Sequence, residues 1–387
     1  MKKILVKIIL FFVSFLDKLI LKDEKLVVYN SFPDFSDNAF SLFLYVLKEY
    51  PDKNNIWLVK NYDVEKYKLL TQNYTDKENY KIIQRDSIIG VYYYLRAKYV
   101  FFTHGLLNGA SISKKHCVVN LWHGMPLKTI GLLGNNKVVQ KSSFGIATSI
   151  FYQDIMSRAL NINKENILVV GQPRNDLMFQ SSDCLLKLNI NENIKNVILW
   201  TPTYRQSNVG DIRIDGSSTN DLPVVKIKDL EDLNTFLFDI NSYMIIKLHP
   251  MDILNDIIFD NFSNIKILKK NDLEVLGCQL YSLLGSIDLL LTDFSSIYID
   301  YLLLNKPIGF IVNDLKEYSN SRGFIFEQPT DYMPGEKISS FNDLKLFIHK
   351  VLYLKEDFFI ESRKLINKKV NIESTNYSKM LLDRIKI

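Results

Sequence analysis

Two histidines stand where an apolar strand gives way to a turn. His123 lies in the segment "NLWHGMPLKT" (120–129), directly before Gly124. His249 ends the apolar segment "SYMIIKLHP" (242–250). An imidazole titrates near neutral pH, so it can take a proton from a hydroxyl under physiological conditions. We therefore expect His123 to act as a catalytic base rather than as a structural histidine.

Hydroxyl and cationic side chains at other strand ends predict a phosphate site. Lys247 precedes His249 by two residues, which puts both on one face of a strand. Ser295 and Ser296 fall in the first turn of a predicted helix, where free backbone N–H groups and two hydroxyls suit a diphosphate. The alternative role of these serines is to cap the helix. The further substrate-binding candidates are Gly124, Lys128, Arg174, Thr203, Tyr204, Arg205, Asp293 and Asp300.

Several well-known kinds of catalytic site are absent from the sequence. It contains no P-loop, GxGxxG, HExxH or GxSxG pattern, which argues against kinases of that type, dehydrogenases, zinc enzymes and α/β-hydrolases. The three cysteines, Cys117, Cys184 and Cys278, lack CxxC spacing, so neither a disulfide framework nor a zinc site is expected. No cofactor and no metal ion are predicted.

Short apolar strands alternate with helical patterns in two successive series. This alternation predicts an α/β fold of two doubly wound, Rossmann-type domains that face a central cleft, with ligands beyond the carboxyl ends of the strands. The expected domains are residues 25–190 and 191–387, joined by a polar stretch near 180–196. In an alternative arrangement, the C-terminal helix packs back on the first domain.

Composition sets limits on the partners of the chain. A chain of 387 residues is longer than a single domain with one hydrophobic core usually is. Its composition, with 47% apolar and 24% charged residues, is typical of globular proteins. The net charge of +5 comes without a long basic run. No nucleic-acid partner is therefore expected, whereas anionic small molecules or anionic lipids fit this charge.

Residues 1–24 are predicted to form an amphipathic, membrane-associating helix. The apolar run from Ile8 to Val13 is far shorter than the roughly 20 residues of a membrane span, and no signal-peptidase site follows it. A helix in the plane of an anionic membrane would turn its polar stripe outward. A helix packed on the protein's own core and a true span are the alternatives. The polar stripe consists of Lys3, Lys7, Ser14, Lys18 and Lys22.

Six ordered motifs between residues 116 and 335 resemble the CDP-glycerol glycerophosphotransferase family, whose members make teichoic acids and related capsule polymers. They are "WHGMPLK" (122–128), "GQPRND" (171–176), "TPTYR" (201–205), "KLHP" (247–250), "TDFSSIYIDY" (292–301) with "KPIGFI", and "DLKEYSNSRGFIFE" (314–327) with "PG". The resemblance implies a GT-B-like fold. It also implies transfer of glycerol phosphate from CDP-glycerol to a hydroxyl of a lipid-linked, undecaprenyl-type glycan or a growing polymer, with release of CMP.

The same resemblance assigns roles to individual residues. His123 would deprotonate the acceptor hydroxyl, and His249 would bind or protonate the pyrophosphate. The enzyme would work as a peripheral protein on the cytoplasmic face of a bacterial cell membrane. The residues implied to hold the CDP part are Arg174, Thr203, Tyr204, Arg205, Lys247, Ser295, Ser296 and Asp300.

Two departures from the family pattern leave alternatives open. Met125 stands where a threonine or serine is common, and the chain lacks the long N-terminal region of the large polymerases, as primases and some capsule enzymes do. A CDP-ribitol ribitolphosphotransferase and a GT-B glycosyltransferase with another nucleotide-activated donor are the enzymatic alternatives. A membrane-bound carbohydrate-binding scaffold is the non-enzymatic one.

Overall fold

Two compact α/β units make up the chain in a computed structural model. The first unit contains Met1–Met125, Ile130–Phe179 and Ile372–Ile387, and the second contains Pro126–Thr129 and Gln180–Asn371. The structure describes residues 2–107, 110–134, 139–203, 221–250, 252–257, 259, 261–321 and 323–387, with the side chains of residues 2–8 and 253 left undescribed.

Each unit is built on one parallel sheet, as the alternation of strands and helices predicted. The order is β3-β2-β1-β4-β5-β6-β7 in the first sheet and β10-β9-β8-β11-β12-β13 in the second. The first sheet contains β1 (Asp23–Asn30), β2 (Asn54–Val59), β3 (Tyr80–Gln84), β4 (Ala97–Phe102), β5 (Cys117–Asn120), β6 (Phe144–Ala147) and β7 (Ile167–Val169). The second contains β8 (Asn196–Thr201), β9 (Ser242–Lys247), β10 (Ile265–Leu268), β11 (Leu289–Thr292), β12 (Ile308–Ile311) and β13 (Glu336–Ile338).

Helices connect the strands, as parallel pairing requires. In chain order they are α1 (Lys2–Leu19), α2 (Asp37–Glu49), α3 (Val64–Gln72), α4 (Ile88–Arg96), α5 (Ile150–Leu160), α6 (Cys184–Lys187), α7 (Leu230–Asp239), α8 (Asp272–Val275), α9 (Leu280–Gly285), α10 (Ile297–Tyr301), α11 (Leu315–Ser321), α12 (Phe341–Ile348), α13 (Ile360–Val370) and α14 (Tyr377–Ile385).

Both faces of the first sheet are buried. Alternate residues of β1 point to opposite sides, so Val27 and Tyr29 pack in one apolar cluster and Val28 in the other. The first cluster includes α2 and Leu381 of the C-terminal helix α14. Asp176 fixes the start of α14, because its carboxylate accepts hydrogen bonds from the backbone N–H groups at the beginning of that helix. The C-terminal helix is thus part of the first unit.

The N-terminal helix α1 lies on the first unit through one face. Val13 belongs to the second apolar cluster of the unit, and the buried Asp17 carboxylate accepts hydrogen bonds from Lys22 Nζ at 2.6 Å and from the Ser113 backbone N–H at 2.6 Å. His116 Nδ1 lies 2.7 Å from the same carboxylate. A buried carboxylate needs such partners, and they anchor the helix.

The predicted polar stripe of this helix is therefore wrong in two of its positions. Ser14 faces the first unit, where its Oγ accepts a hydrogen bond from the Ser111 N–H at 2.8 Å. Lys22 is also turned inward, because its ammonium bonds to Asp17. Lys18 is exposed, whereas the side chains of Lys3 and Lys7 lie outside the described part of the chain.

The opposite face of α1 is apolar and open to solvent. Phe11 is 68% exposed, Phe12 57% and Leu19 63%. The helix ends at Leu19 and β1 begins at Asp23, close to the predicted boundary. Among the helices that the structure describes, none is long and apolar enough to cross a membrane.

Candidate active site

Several candidate residues follow strands at or next to the point where the strand order of each sheet changes direction. In the first sheet this point lies between β1 and β4, and in the second between β8 and β11. Parallel α/β sheets bind ligands beyond the carboxyl ends of strands at such points. His123 follows β5, beside β4, while Thr203 follows β8 and Asp293 follows β11. The strand order thus explains why side chains far apart in sequence come together within each unit.

The backbone around His123 is held in an unusual conformation. Trp122 has a φ of +50° and Gly124 a φ of +131°, both in the left-handed region. A bulky residue pays about 1–3 kcal/mol for this conformation, and it persists only where the surroundings enforce it. Asn120 contributes, because its Oδ1 accepts a hydrogen bond from the Trp122 N–H at 2.9 Å. The resulting tight turn leaves part of the His123 side chain open to solvent, where it can meet a substrate, while His104 and Trp122 cover the faces of the ring.

A second histidine, His104, stacks on His123. Their ring centroids are 4.3 Å apart at an interplanar angle of 15°, and Trp122 stacks on His123 at 4.2 Å. Sequence reasoning missed His104. The available signal was "FFTHG" (101–105), which repeats the His-Gly pair at a strand end.

The neighbours of the two rings indicate how His123 is protonated. Its Nδ1 lies 3.5 Å from the Thr103 carbonyl oxygen, at the outer limit of a hydrogen bond. A carbonyl can only accept, so this contact favours the tautomer with the proton on Nδ1, in which the Nε2 lone pair is available. Desolvation by the surrounding chain, and then the neighbouring His104, lower the pKa of His123. The ring is therefore neutral at physiological pH, as a base must be.

Arg174 lies in the first unit with these histidines. Its Nη1 is 2.7 Å from Asp37 Oδ1, and its side chain is buried. The Asp37 carboxylate raises the pKa of both His104 and His123, although desolvation outweighs this effect and lowers both values. Arg174 thus belongs to the same unit as the predicted base, whereas Thr203, Lys247, Ser295, Ser296 and Asp300 belong to the second unit. Its role toward CDP stays a prediction.

Two strand ends of the second unit are tied together by hydrogen bonds. Thr201 Oγ1 donates to Thr292 Oγ1 at 3.2 Å across β8 and β11. Immediately after these strands, the buried Asp293 carboxylate accepts bonds from the backbone N–H of Thr203, at 2.9 Å, and from its hydroxyl. Asp293 thereby fixes the backbone and the side chain of Thr203. A direct contact of Asp293 with substrate stays a prediction.

The two serines precede helix α10 rather than occupying its first turn. Ser296 is the N-cap residue, and its side chain makes no capping hydrogen bond. Ser296 therefore does not cap α10 through its side chain, which was the alternative role predicted from the sequence. Because α10 has only five residues, its dipole is small, and the hydroxyls and local N–H groups matter more. Asp300, within α10, is fully buried and accepts a hydrogen bond from Tyr281 at 2.7 Å.

Lys247 ends β9 with its ammonium turned toward backbone oxygens. Nζ lies 2.9 Å from the Leu248 carbonyl and 3.3 Å from that of Lys269. Desolvation lowers the pKa of Lys247 to about 8, while Asp272 and Glu274 act in the opposite direction. The pKa of Lys247 therefore lies only slightly above neutral pH. An anion bound beside the ammonium would stabilise its charged form and raise this pKa.

His249 and Lys128 occupy loops of the second unit. His249 is half-buried, and its carbonyl accepts a hydrogen bond from Asn255 Nδ2 at 2.8 Å. Lys128 forms an antiparallel bridge with Phe324, and its ammonium lies 5.7 Å from the centre of the Tyr318 ring. Tyr204 and Arg205 lie outside the described residues. Where the chain is described, no cluster of His, Cys, Asp or Glu side chains could hold a metal ion.

Comparisons with known proteins agree with the motifs. Residues 10–386 match the family described as CDP-Glycerol:Poly(glycerophosphate) glycerophosphotransferase. The chain is 26% identical over 324 residues to the teichoic acid ribitol-phosphate polymerase TarL of Staphylococcus aureus, covering 78% of this chain and 53% of that protein. It thus spans about half the length of that relative.

Two further similarities cover most of both chains. The teichoic acid poly(glycerol phosphate) polymerase of Bacillus spizizenii is 26% identical over 371 residues, which is 88% of this chain and 87% of that protein. The solved structure of the wall teichoic acid polymerase TagF has a TM-score of 0.75 at 22% identity, covering 97% of this chain and 92% of the other. The second similarity shows a shared fold, in agreement with the GT-B-like prediction.

Proposed function

We propose a specific reaction for this chain, which belongs to the CDP-glycerol:poly(glycerophosphate) glycerophosphotransferase family. It transfers glycerol phosphate from CDP-glycerol to a hydroxyl of a lipid-linked glycan or growing polymer and releases CMP. The observation that carries the proposal is the His123 turn, in which a strained backbone exposes a neutral imidazole. The first unit then handles the acceptor and the second unit the donor.

The chemistry of the transfer follows from these groups. His123 Nε2 takes the proton of the acceptor hydroxyl, and the oxygen attacks the phosphorus that bears glycerol. The bond from that phosphorus to the bridging oxygen breaks, and CMP leaves with the electron pair. Phosphoryl transfer depends on positioning and on neutralising negative charge. His249 binds or protonates the pyrophosphate, and Lys247 adds positive charge.

We assign Ser295 and Ser296 to the diphosphate of the donor. Replacing both by alanine is expected to weaken CDP-glycerol binding by about 10-fold or more, since two hydrogen bonds to a charged group are lost. The thermal midpoint of unfolding should change little, because the Ser296 side chain caps no helix. Calorimetric titration measures the affinity, with Ser286→Ala in the same unit as the control. Unchanged affinity would reduce both serines to a structural role.

The proposed contact of Lys247 with phosphate makes donor binding pH-dependent. The protonated ammonium binds the anion, and its pKa in the free protein is about 8. Affinity for CDP-glycerol should therefore be constant below that pH and fall as the pH rises through it. Lys247→Arg is the matched control, because a guanidinium stays charged and should remove this pH dependence. A flat affinity profile of the wild type would contradict the assignment.

We further propose that the acceptor is displayed on an anionic membrane and that α1 holds the enzyme there. The exposed Phe11, Phe12, Phe15 and Leu19 form an apolar face that a bilayer interface would cover, with Lys18 beside it. The network around Asp17 fixes the opposite face to the first unit. This arrangement would place a peripheral enzyme on the cytoplasmic face, where lipid-linked intermediates are elongated.

A donor panel tests the proposed reaction. The protein is incubated with an acceptor glycolipid and, separately, with CDP-glycerol, CDP-ribitol and UDP-activated sugars, and the released nucleotide is identified. CMP from CDP-glycerol supports the proposal. CMP from CDP-ribitol alone would establish ribitol phosphate transfer, the second candidate favoured by the similarity to the ribitol-phosphate polymerase. UDP release would establish a glycosyltransferase, and no release from any donor would favour a scaffold.

A further inference from the structure

The start of helix α2 organises the turn that exposes His123. Asn38 is completely buried, and its Nδ2 lies 3.1 Å from the Leu121 carbonyl oxygen and 3.2 Å from that of Trp122. The Trp122 carbonyl belongs to the peptide bond that leads into His123. Fixing this oxygen therefore fixes the peptide plane from which the His123 side chain projects.

The same amide also holds the start of the 3-10 helix Pro173–Phe179, the segment that we call the Arg174 turn. Asn38 Oδ1 accepts a hydrogen bond from the Arg174 backbone N–H at 3.1 Å, and Nδ2 reaches Gln172 Oε1 at 3.3 Å. One buried side chain thus joins two loops that follow different strands of the first sheet. A buried amide with its donor and acceptor groups engaged is a rigid connector.

The preceding residue, Asp37, contributes a negative charge at this point. Its carboxylate is held by Arg174 Nη1 at 2.7 Å and by the backbone N–H of Asn38 at 2.7 Å. Asp37 has a φ of +61°, so the chain accepts a left-handed conformation at a residue other than glycine. Desolvation lowers the pKa of His104 and His123, and the negative charge of Asp37 opposes this shift by raising both pKa values.

We propose that Asp37 and Asn38 are positioning residues for the His123 base. Asn38 holds the His123 turn and the Arg174 turn in one geometry. The Asp37 carboxylate, oriented by Arg174, stabilises the imidazolium that forms when His123 takes the acceptor proton. This inference rests on the proposed function, and it adds two residues outside the family-like motifs quoted above.

Kinetics of Asn38→Ala, with Ser41→Ala as the matched control, provide the first test. Ser41 lies one turn further along α2, is buried, and donates to the Pro173 carbonyl at 2.7 Å, so its loss also removes a bond to the Arg174 turn. We expect kcat to fall by about 10²-fold in Asn38→Ala, the cost of a misplaced catalytic group. The KM for CDP-glycerol should stay within about 2-fold in both variants, and kcat should stay unchanged in Ser41→Ala. Equal kcat values in the two variants would overturn the proposal.

Asp37→Asn removes the negative charge of this side chain and keeps its size. The plateau value of kcat should fall by about 10-fold or more, and the acid limb of the pH profile should move to lower pH, because the imidazolium loses a stabilising charge. A purely structural effect would leave the acid limb in place. An unmoved limb with full kcat would overturn the role of Asp37.

A measurement without substrate separates this inference from the proposed reaction. In protein with ¹⁵N-labelled histidine, the ring-nitrogen shifts of His123 at neutral pH report its tautomer. We expect the Nδ1–H form in the wild type and in Ser41→Ala, and a mixture of tautomers in Asn38→Ala. If the wild type released no CMP from CDP-glycerol, the reaction would be wrong, while these shifts would still decide the positioning role. Identical shifts in all three proteins would overturn it.

Discussion

Replacing His123 by alanine is expected to lower kcat by about 10²–10⁴-fold, the usual contribution of a general base. The dissociation constant of CDP-glycerol should not change, because the donor candidates Thr203, Lys247, Ser295 and Ser296 all lie in the second unit. Rapid-quench measurement of CMP formation, together with calorimetric binding of CDP-glycerol, gives both quantities. The loss should appear in kcat, with little change in donor affinity.

Two other histidines serve as comparisons for this variant. His349, in the second unit, stacks on Tyr353 and has no assigned role, so His349→Ala should retain wild-type kcat. His104→Ala removes the ring stacked on His123 and should lower kcat less than His123→Ala does. Wild-type turnover in His123→Ala, combined with a large loss in His104→Ala, would transfer the role of base to His104.

Replacing Phe11, Phe12 and Phe15 together by serine is expected to release the protein from membranes. Each exposed ring contributes about 1 kcal/mol or more when an apolar environment covers it, so the three account for at least about 10²-fold in membrane partitioning. Flotation with vesicles of anionic lipid measures the bound fraction. Turnover should fall steeply on a bilayer-embedded acceptor and little on a short-chain, water-soluble one.

Substitution is a cleaner test than deletion of this helix. Val13 and Asp17 belong to the buried part of the first unit, so removing residues 1–22 would destabilise its fold as well as its apolar face. Phe238, Leu346 and Tyr353 are comparably exposed on the second unit, and their combined replacement by serine is the control. Vesicle binding that persists in the α1 variant, or that is lost equally in the control, would show that the membrane contact lies elsewhere.

The central strands and the residues at their ends were predictable because their signals are local. The strands β1, β2, β4, β8, β9 and β11 each contain a run of three or four consecutive apolar residues, and polar residues directly after such runs fall at the carboxyl edge of a sheet. The strands β3 and β13 lack this signal. Both are short edge strands with partly exposed side chains, so their sequences contain no continuous apolar run.

Contacts between distant segments could not be read from the sequence. Asn38 and Asp37 act on residues more than 80 positions away, and nothing local distinguishes them from an ordinary helix start. The contact between Arg174 and Asp37 is another example, since the sequence indicated only that the charge of Arg174 suits phosphate. The polar stripe of α1 was predicted from helical periodicity, which could not show that Ser14 bonds to Ser111 and Lys22 to the buried Asp17.

The mass of the acceptor after the reaction tests the proposed transfer most directly. Wild-type protein is incubated with CDP-glycerol and a lipid-linked glycan, and the glycolipid is analysed by mass spectrometry beside the released nucleotide. The proposal predicts acceptor molecules heavier by whole glycerol phosphate units, with one CMP released for each unit added. An acceptor of unchanged mass, or one that gains a sugar without phosphate, would contradict it.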